Sequence, residues 1–416
     1  MTIRRRAETQ KGPAPIARRA VALVGALSLV ASLALAACGT GGTSTATPVA
    51  SAVATPAGTA ALARVGTFTA TAAMATRYYH TATLLHDGRV LIVGGCCTSS
   101  LVAPSVPLNT AELYDPKTGK STPAGSMASG RMYQTATLLT DGRVLIAGGE
   151  NENGTLASTE IYDPATNRFT AGALMGYARY SQTATLLQDG RVLMTGGATG
   201  LSSAEIYDPT KVKWAPAGLN AVPASASPSP GATPTAKPSG YMNSWRSGQT
   251  ATLLPDGRVL IVGGQTLPQS ADIYDPKIDR FTPTGYTNVD RFNHTATLLP
   301  PPDGRVLIVG GSTEPGSAET YDYRTGEFTP TGFLIGSRTN QIATLLSDGR
   351  VLIVGGFPSD TSGEVYNPKT GIFNRTNLMT TPRTSCTATL LEDGSVLIDG
   401  GVGVYGGTQV AEIYKS

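Results

Sequence analysis

One motif recurs seven times between Arg77 and the end of this 416-residue chain. Its first copy begins with Arg77-Tyr78-Tyr79-His80-Thr-Ala-Thr-Leu-Leu, continues through Asp-Gly-Arg-Val-Leu-Ile-Val-Gly94-Gly95 and ends, after a loop, with Ala-Glu-Leu-Tyr114. A unit that repeats this closely cannot bury its apolar face alone, so it must stack on its neighbours. The repeat predicts a closed ring or an open solenoid. It also implies that a residue with a unique catalytic or binding role should depart from the repeated pattern.

Each copy alternates short apolar runs with turn residues, which predicts consecutive antiparallel strands. Thr-Ala-Thr-Leu-Leu predicts a first strand, and Asp-Gly predicts a tight hairpin because both residues tolerate positive φ. Val-Leu-Ile-Val predicts a second strand that is buried on both faces. Ala-Glu-Ile-Tyr predicts a third, and the aromatic-bearing segment after Asp-Pro-x-Thr-Gly predicts a fourth. Four strands in each of seven repeats predict an all-β fold, a seven-bladed β-propeller.

The last repeat lacks a fourth strand, since the chain ends two residues after Tyr414. The segment Gly66-Thr67-Phe68-Thr69, just before the first repeat, resembles the missing strand. We therefore expect residues 66–71 to complete the last blade and close the ring without an exposed strand edge. The propeller then extends over residues 65–416.

The order Gly-Gly, Tyr and a further aromatic, with a period of about 45–48 residues, resembles the kelch repeat. The phrase Asp-Gly-Arg-Val-Leu-Ile-x-Gly-Gly is most similar to bacterial kelch proteins and to the central propeller of galactose oxidase-like proteins. The resemblance covers residues 66–416 and implies four-stranded kelch-type blades. Kelch propellers include binding modules and enzymes, so the resemblance predicts the fold better than the function.

The N-terminus predicts export. Residues 1–37 have a basic start and an apolar run from Ala20 to Ala37, which predicts a signal peptide. Leu35-Ala36-Ala37-Cys38 resembles a bacterial lipobox, which implies cleavage before Cys38 and lipidation of its sulfur. A membrane span is the alternative. We expect a lipoprotein attached to the membrane on its extracytoplasmic side, exported by the Sec or the twin-arginine route.

Two segments have the composition of unstructured chain. Residues 38–64 are rich in Gly, Thr, Ala and Pro and predict a flexible tether. Residues 220–240 are rich in Pro, Ser and Ala and predict a disordered insertion, with a lid or a partner-binding arm as the alternative.

The charge of the chain gives no basis for nucleic-acid binding. Residues 1–37 hold six of the 32 Lys and Arg and one of the 29 Asp and Glu, so their removal changes the net charge from +3 to −2. The basicity therefore belongs to the predicted signal peptide. We expect a monomer without a nucleic-acid partner.

Each repeat starts with an arginine and carries one acidic residue in its third strand. The matching numbers predict a repeated ion pair inside each blade. An arginine that binds a carboxylate or a sugar is the alternative. The pairs are Arg77 and Glu112, Arg131 and Glu160, Arg179 and Glu205, Arg246 and Asp272, Arg291 and Glu319, Arg338 and Glu364, and Arg383 and Glu412.

The position three residues after each arginine varies between repeats and lies beside aromatic residues. Aromatic rings stack on sugar C–H surfaces while amides read hydroxyl groups, so this region predicts binding of a glycan or of a cell-envelope protein. Alternatively, these side chains pack the mouth of the propeller's central channel and bind no ligand. The candidate binding residues are Arg77, Tyr79, His80, Arg131, Tyr133, Gln134, Trp245, Arg383 and Cys386, and no catalytic residue is predicted.

Tyr79-His80, Tyr133-Gln134 and Cys386 resemble the strand starts of galactose oxidase-like enzymes. This resemblance implies a copper site with Tyr79, His80 and Cys386, in which Cys386 lies beside Tyr79 or Tyr133. A sugar-active enzyme, either a copper oxidase or a sugar isomerase, is therefore the alternative function. The His-bearing C-terminal domain of those enzymes is missing and the chain has three histidines. We therefore expect no cofactor, with copper as the alternative.

Cys96-Cys97 directly follows the first Gly-Gly pair. In an oxidising compartment these cysteines predict a disulfide, either with each other or between one of them and Cys386. Free thiols and a metal site are the alternatives.

Overall fold

The computed structural model describes residues 64–97, 106–198, 201–218, 241–242, 244–312, 314, 316–358, 361–403 and 406–416. The predicted signal peptide, the predicted lipidation site Cys38, nearly all of the predicted tether and the predicted insertion at 220–240 lie outside these residues. The described part is all-β. It accordingly contains no helix of the length and apolarity that crossing a membrane requires.

The described strands are short and follow the repeat. In chain order they are β1 (Thr67–Ala73), β2 (Thr81–Leu84), β3 (Val90–Val93), β4 (Cys96–Cys97), β5 (Val106–Pro107), β6 (Ala111–Asp115), β7 (Lys120–Pro123), β8 (Thr135–Leu138), β9 (Val144–Ala147), β10 (Glu150–Asn151), β11 (Gly154–Thr155), β12 (Thr159–Asp163), β13 (Arg168–Ala171), β14 (Thr183–Leu186), β15 (Val192–Thr195), β16 (Ala204–Asp208), β17 (Lys213–Ala217), β18 (Thr250–Leu253), β19 (Val259–Val262), β20 (Ser270–Asp275), β21 (Arg280–Tyr286), β22 (Thr295–Leu298), β23 (Val306–Val309), β24 (Ala318–Asp322), β25 (Glu327–Pro330), β26 (Ile342–Leu345), β27 (Val351–Val354), β28 (Gly363–Asn367), β29 (Ile372–Arg375), β30 (Thr387–Leu390), β31 (Val396–Asp399), β32 (Val402–Gly403), β33 (Gly406–Gly407) and β34 (Val410–Lys415).

These strands form seven four-stranded antiparallel sheets, one for each repeat. The first strand of every blade is innermost and lies next to the first strands of both neighbouring blades, and β30 of blade 7 lies next to β2 of blade 1. The ring is therefore closed, and the predicted seven-bladed propeller is confirmed.

The last blade is completed by the start of the propeller, as predicted. Strand β1 pairs with β34 and brings Phe68 opposite Tyr414. Their ring centroids lie 5.1 Å apart. In blades 2 to 6 the tyrosine of the third strand packs on the aromatic residue of the fourth strand at 4.7–5.1 Å. Phe68 thus supplies to blade 7 the side chain that each of these blades supplies from its own fourth strand.

The core lies between blades. All four residues of every second strand are buried, because both faces of that strand are covered by neighbouring sheets. At the closure, Val90 and Ile92 of blade 1 pack with Leu397 and Ala411 of blade 7. Each fully buried Val, Ile or Leu contributes about 1.5–3 kcal/mol, and no blade obtains this burial alone.

The two faces of the ring differ in chemistry. The Asp-Gly hairpins lie on one face, here called the Asp-Gly face, where Asp and Arg side chains pair within each hairpin, as Asp87 and Arg89 do at 2.6 Å. The opposite Gly-Gly face carries the repeat arginines and the loops after each Gly-Gly pair. Its longest loops, in blades 1, 2 and 7, form the extra hairpins β4–β5, β10–β11 and β32–β33.

Candidate functional site

The repeat arginines form clamps inside the blades, which agrees with the predicted ion pairs. Arg179 donates hydrogen bonds to the Gly196 and Ser203 carbonyls, at 2.7 and 3.0 Å, and to the Glu205 carboxylate at 3.0 Å. All seven arginines are at most 4% exposed. The structure therefore does not bring Arg77, Arg131 or Arg383 to the surface as candidate ligand contacts.

The side chain three residues after each arginine reaches the preceding blade. Gln134 Nε2 donates to the Val93 carbonyl at 2.9 Å, and Gln182 Nε2 donates to the Ala147 carbonyl at 2.9 Å. A Cβ added to Gly94 would stand 2.6 Å from Gln134 Nε2, so the first glycine of the pair makes room for this inter-blade contact. Gln134 is thus a buried structural contact rather than an exposed amide.

His80 makes this contact across the ring closure. Its Nε2 lies 3.2 Å from Asp399 Oδ2 and 3.2 Å from Thr387 Oγ1, and both ionisable side chains are buried. Asp399 Oδ2 has no well-aligned hydrogen bond despite this separation. Asp399 was not among the candidate residues that the sequence indicated. Its signal was a charge at the end of a second strand, where the other blades have Val93, Ala147, Thr195, Val262, Val309 and Val354.

His294 occupies the equivalent position between blades 4 and 5. Its Nε2 is 2.9 Å from Thr250 Oγ1, and the second strand of blade 4 ends in Val262 instead of an acid. Burial, together with Arg291 and Arg246, lowers the pKa of His294 to about 3. An imidazole at this junction therefore packs in its neutral form without a carboxylate partner.

The donor set proposed for copper does not fit a metal site. Cys386 Sγ faces Gly355 of blade 6, whereas His80 faces Gly400 of blade 7. Burial raises the pKa of Cys386 to about 11, and burial and Tyr79 raise the pKa of Tyr133. No group of three or more His, Cys, Asp or Glu side chains in the described residues could hold a metal ion. The resemblance implied that Cys386 lies beside Tyr79 or Tyr133. Instead, the side chain of Cys386, like the other side chains three residues after a repeat arginine, points to the preceding blade.

The predicted disulfide is absent from the described residues, where Cys97 and Cys386 are free thiols. Cys96 is buried, and its Sγ lies 3.7 Å from the Tyr78 carbonyl. Cys386 packs in an apolar cluster with Leu352 and Val354 of blade 6. Because the Cys386 side chain points into the core, it is directed away from both the proposed copper site and the Cys96-Cys97 segment.

A ring of left-handed residues surrounds the channel mouth on the Gly-Gly face. The residue two positions after each arginine has φ between 51° and 69°. Five of the seven neighbouring pairs are joined by backbone hydrogen bonds, such as Tyr133 N–H to Tyr79 O at 3.1 Å. The ring consists of Tyr79, Tyr133, Ser181, Gly248, Asn293, Asn340 and Ser385.

Two tyrosines occupy this ring at an energetic cost. Glycine and asparagine adopt the left-handed conformation readily, whereas a bulky residue costs about 1–2 kcal/mol there. Tyr79 and Tyr133 stack with ring centroids 4.1 Å apart, and Tyr180 lies 6.0 Å from Tyr133. We call Tyr79, Tyr133 and Tyr180 the tyrosine cluster. All three side chains are half-buried, so backbone strain coincides with accessible aromatic surface at the mouth.

Glu150 lies beside the tyrosine cluster and was missed by the sequence analysis. It directly follows Gly148-Gly149, a position that in the other repeats holds Cys96, Ala198, Gln265, Ser312, Phe357 and Val402. It is half-buried, and burial raises the pKa of its carboxyl. Burial raises the pKa values of Tyr133 and Tyr180, and the negative charge of Glu150 adds to this effect. The signal in the sequence was a single charged residue at a position that is otherwise uncharged.

Exposed apolar side chains also concentrate on the Gly-Gly face. Of the fifteen large exposed hydrophobic residues in the described part of the chain, twelve lie on this face, and Trp245 is 41% exposed. They are Val106, Leu174, Tyr177, Tyr241, Trp245, Leu267, Tyr286, Phe292, Phe333, Ile335, Phe357 and Leu378. Trp245 lies in the connection that leads into blade 4, apart from the tyrosine cluster on blades 1 to 3.

The opposite face holds a cleft of about 720 Å³ between blades 5 and 6. It is lined by Pro300, Pro301 and Pro302, which lengthen one hairpin, and by two arginines. These arginines pair with aspartates of their own hairpins, Arg305 with Asp303 at 2.7 Å and Arg350 with Asp348 at 2.6 Å. Because both lining arginines are already paired, they offer less for ligand recognition than the groups at the mouth.

Comparison with known proteins supports the fold. The family model of the Kelch motif matches residues 77–128 and 131–176. A fungal alcohol oxidase of the AA5 family, solved in complex with copper, is similar in structure, with a TM-score of 0.66, 20% sequence identity and coverage of 84% of this chain and 76% of that chain. No curated protein matches the sequence. At this identity the structural similarity concerns the fold alone.

Proposed function

Since the chain is a seven-bladed kelch-repeat β-propeller, we propose that it is a recognition module that binds a glycan at the tyrosine cluster. The observation that carries this proposal is the strained, half-buried stack of Tyr79 and Tyr133 at the channel mouth. Tyrosine rings pack on the C–H faces of sugars, and polar side chains nearby read their hydroxyl groups. Ser181, Asn293 and Asn340 supply such groups in the same ring.

A cell-envelope protein is the second candidate ligand. It is favoured by the apolar side chains of blades 4 to 6 on the Gly-Gly face, among which Phe333 and Phe357 are 69% and 63% exposed. Several large apolar side chains exposed on the same face are typical of protein interaction sites. Trp245, from the original candidate set, belongs to this sector rather than to the tyrosine cluster.

An oxidase function is not part of this proposal. The AA5 alcohol oxidase binds copper, but here Cys386 points into the core and His80 contacts Asp399. The two side chains are directed into different blade junctions, so they do not converge on one ion.

The role of the tyrosine cluster in binding can be tested by substituting asparagine, a residue that already occurs at other positions of the left-handed ring. We expect Tyr79→Asn and Tyr133→Asn each to weaken glycan binding by about 30-fold, since truncation of a central aromatic contact costs about 2 kcal/mol. Asparagine occupies the same left-handed position in blades 5 and 6, so folding is preserved. A glycan array would identify ligands, and calorimetry would measure their affinities.

Tyr286→Asn is the matched control, because Tyr286 is exposed on the same face but outside the tyrosine cluster. It should leave affinity for the glycan unchanged. Full affinity in both cluster variants would contradict glycan binding at the mouth. Capture of a cell-envelope protein that depends on Phe357 but not on Tyr79 would favour the second candidate.

We further propose that Cys38 is lipidated and attaches the module to the extracytoplasmic side of the membrane, with residues 38–64 as a tether. The lipobox-like sequence before Cys38 supports this placement. We expect Cys38→Ser to move the protein from the membrane fraction to the soluble fraction, because the acyl chains supply the attachment. Fractionation and intact mass would measure it. An unchanged membrane fraction would contradict the lipid anchor.

A further inference from the structure

The backbone at Glu150 is held between the segments that lead into the first strands of blades 2 and 3. The backbone of Glu150 exchanges two hydrogen bonds with Met132, at 2.9 and 3.1 Å, next to Tyr133. The preceding Gly149 donates to the Arg179 carbonyl at 2.8 Å, next to Tyr180. Strands β10 and β11 form a hairpin that continues this anchoring. The backbone of Glu150 is therefore fixed next to the residues that carry two rings of the tyrosine cluster.

Glu150 differs in its surroundings from the acidic residues of the arginine clamps and of the Asp-Gly hairpins. The clamp residue Glu160 pairs with Arg131 at 2.9 Å, and the exposed hairpin residue Asp141 pairs with Arg143 at 2.7 Å. No arginine or lysine in the described residues pairs with Glu150, and burial alone raises the pKa of its carboxyl. A carboxylate that is partly removed from water without a counter-charge is stabilised when a cation binds next to it.

The neighbouring rings are suited to the same kind of ligand. Tyr133 and Tyr180 lie 6.0 Å apart with their planes inclined by 52°, so they do not cover each other's faces completely. Burial raises the pKa values of both phenols, which keeps the rings neutral. A cation within about 6 Å of such a ring is attracted electrostatically to the ring face.

We propose that Glu150, Tyr133 and Tyr180 bind the protonated amino group of an amino sugar. The inference rests on the proposed glycan-binding function and specifies the class of glycan. The Glu150 carboxylate would supply the counter-charge, while the two rings attract the ammonium group and stack on the sugar. A neutral sugar would leave the Glu150 carboxylate partly desolvated and without a cationic partner.

The test compares two oligosaccharides that differ in the amino group, a glucosamine tetramer and its fully N-acetylated counterpart, by calorimetry on the complete protein. We expect the amine to bind at least about tenfold more tightly, a difference of about 1.4 kcal/mol. Glu150→Gln keeps the size of the side chain and should abolish this preference. Glu152→Gln removes the same charge from an exposed position of the same loop and should retain it.

Equal affinity for the two tetramers, or a preference that survives Glu150→Gln, would overturn the inference. If neutral glycans bind with the predicted Tyr79 dependence but amines gain nothing, the proposed function stands and this inference fails. If a lysine-containing peptide binds with the same Glu150 dependence and neither tetramer binds, the ligand is a peptide and the inference of an amino sugar is wrong.

Discussion

Deletion of residues 65–71 is expected to abolish cooperative folding of the whole propeller rather than to remove a single strand. The deletion takes away Phe68, the aromatic partner of Tyr414, and the hydrogen bond from Val65 N–H to the Arg375 carbonyl at 2.9 Å. It also exposes the edge of β34, which invites association with other chains.

The expected loss is comparable with the total stability of the fold. Truncation of a core phenylalanine alone costs about 3–5 kcal/mol, and somewhat less at a half-buried position such as Phe68. Natural domains have a free energy of unfolding of about 5–15 kcal/mol, and loss of the remaining strand pairs adds to the effect. Thermal unfolding followed by circular dichroism should show a broad transition at much lower temperature, together with aggregation.

A rearranged variant shows whether the deletion acts by removing the fourth strand of blade 7 or by shortening the N-terminus. It keeps the deleted sequence but attaches it at the other end of the chain. In it, residues 65–73 follow Ser416 through an Asp-Pro-Lys-Thr-Gly turn like the one after Tyr114. The transferred strand can then pair with β34 as an ordinary fourth strand, and we expect most of the thermal stability to return. A deletion variant that melts at the wild-type temperature would contradict closure by β1.

The repeat made the fold predictable because seven copies of one pattern reduce the possible architectures to a ring or a solenoid. The incomplete last copy, together with Phe68 before the first, then favoured the ring. Alternation of apolar and turn residues located the strands, since a strand buried between blades has to be apolar throughout, as Val90–Val93 is. These features are local in the sequence, and the fold follows from them.

The site was less predictable because it depends on the direction of side chains across blade junctions. The sequence showed that His80, Gln134 and Cys386 share one position, but it did not show that this position points inward to the preceding blade. Of the candidate residues, Tyr79, Tyr133 and Trp245 are accessible in the structure, whereas the arginines are enclosed. Glu150 was overlooked because it lies in a loop whose path only the fold defines.

The buried contact of His80 with Asp399 at the closing junction leads to a second large expected effect. We expect His80→Leu to destabilise the propeller by about 1–3 kcal/mol, because the buried Asp399 carboxyl then loses the polar group that faces it. Asp399→Val should cost far less, since the junction of His294, Thr250 and Val262 already places a neutral histidine beside a valine. The two single variants of one contact therefore differ, because one leaves a buried polar group unsatisfied and the other removes it.

The double variant, which carries His80→Leu together with Asp399→Val, completes the test. It replaces a buried polar pair by apolar contacts, a change that can be nearly neutral or stabilising, so it should recover most of the stability lost in His80→Leu alone. Chemical denaturation of the four proteins would give the coupling free energy. Equal losses in the two single variants would show that the pair acts through packing rather than through its polar groups. A strong coupling would mean that the ring depends at its closure on one polar contact, which replaces the glutamine contacts found at four of the other blade junctions.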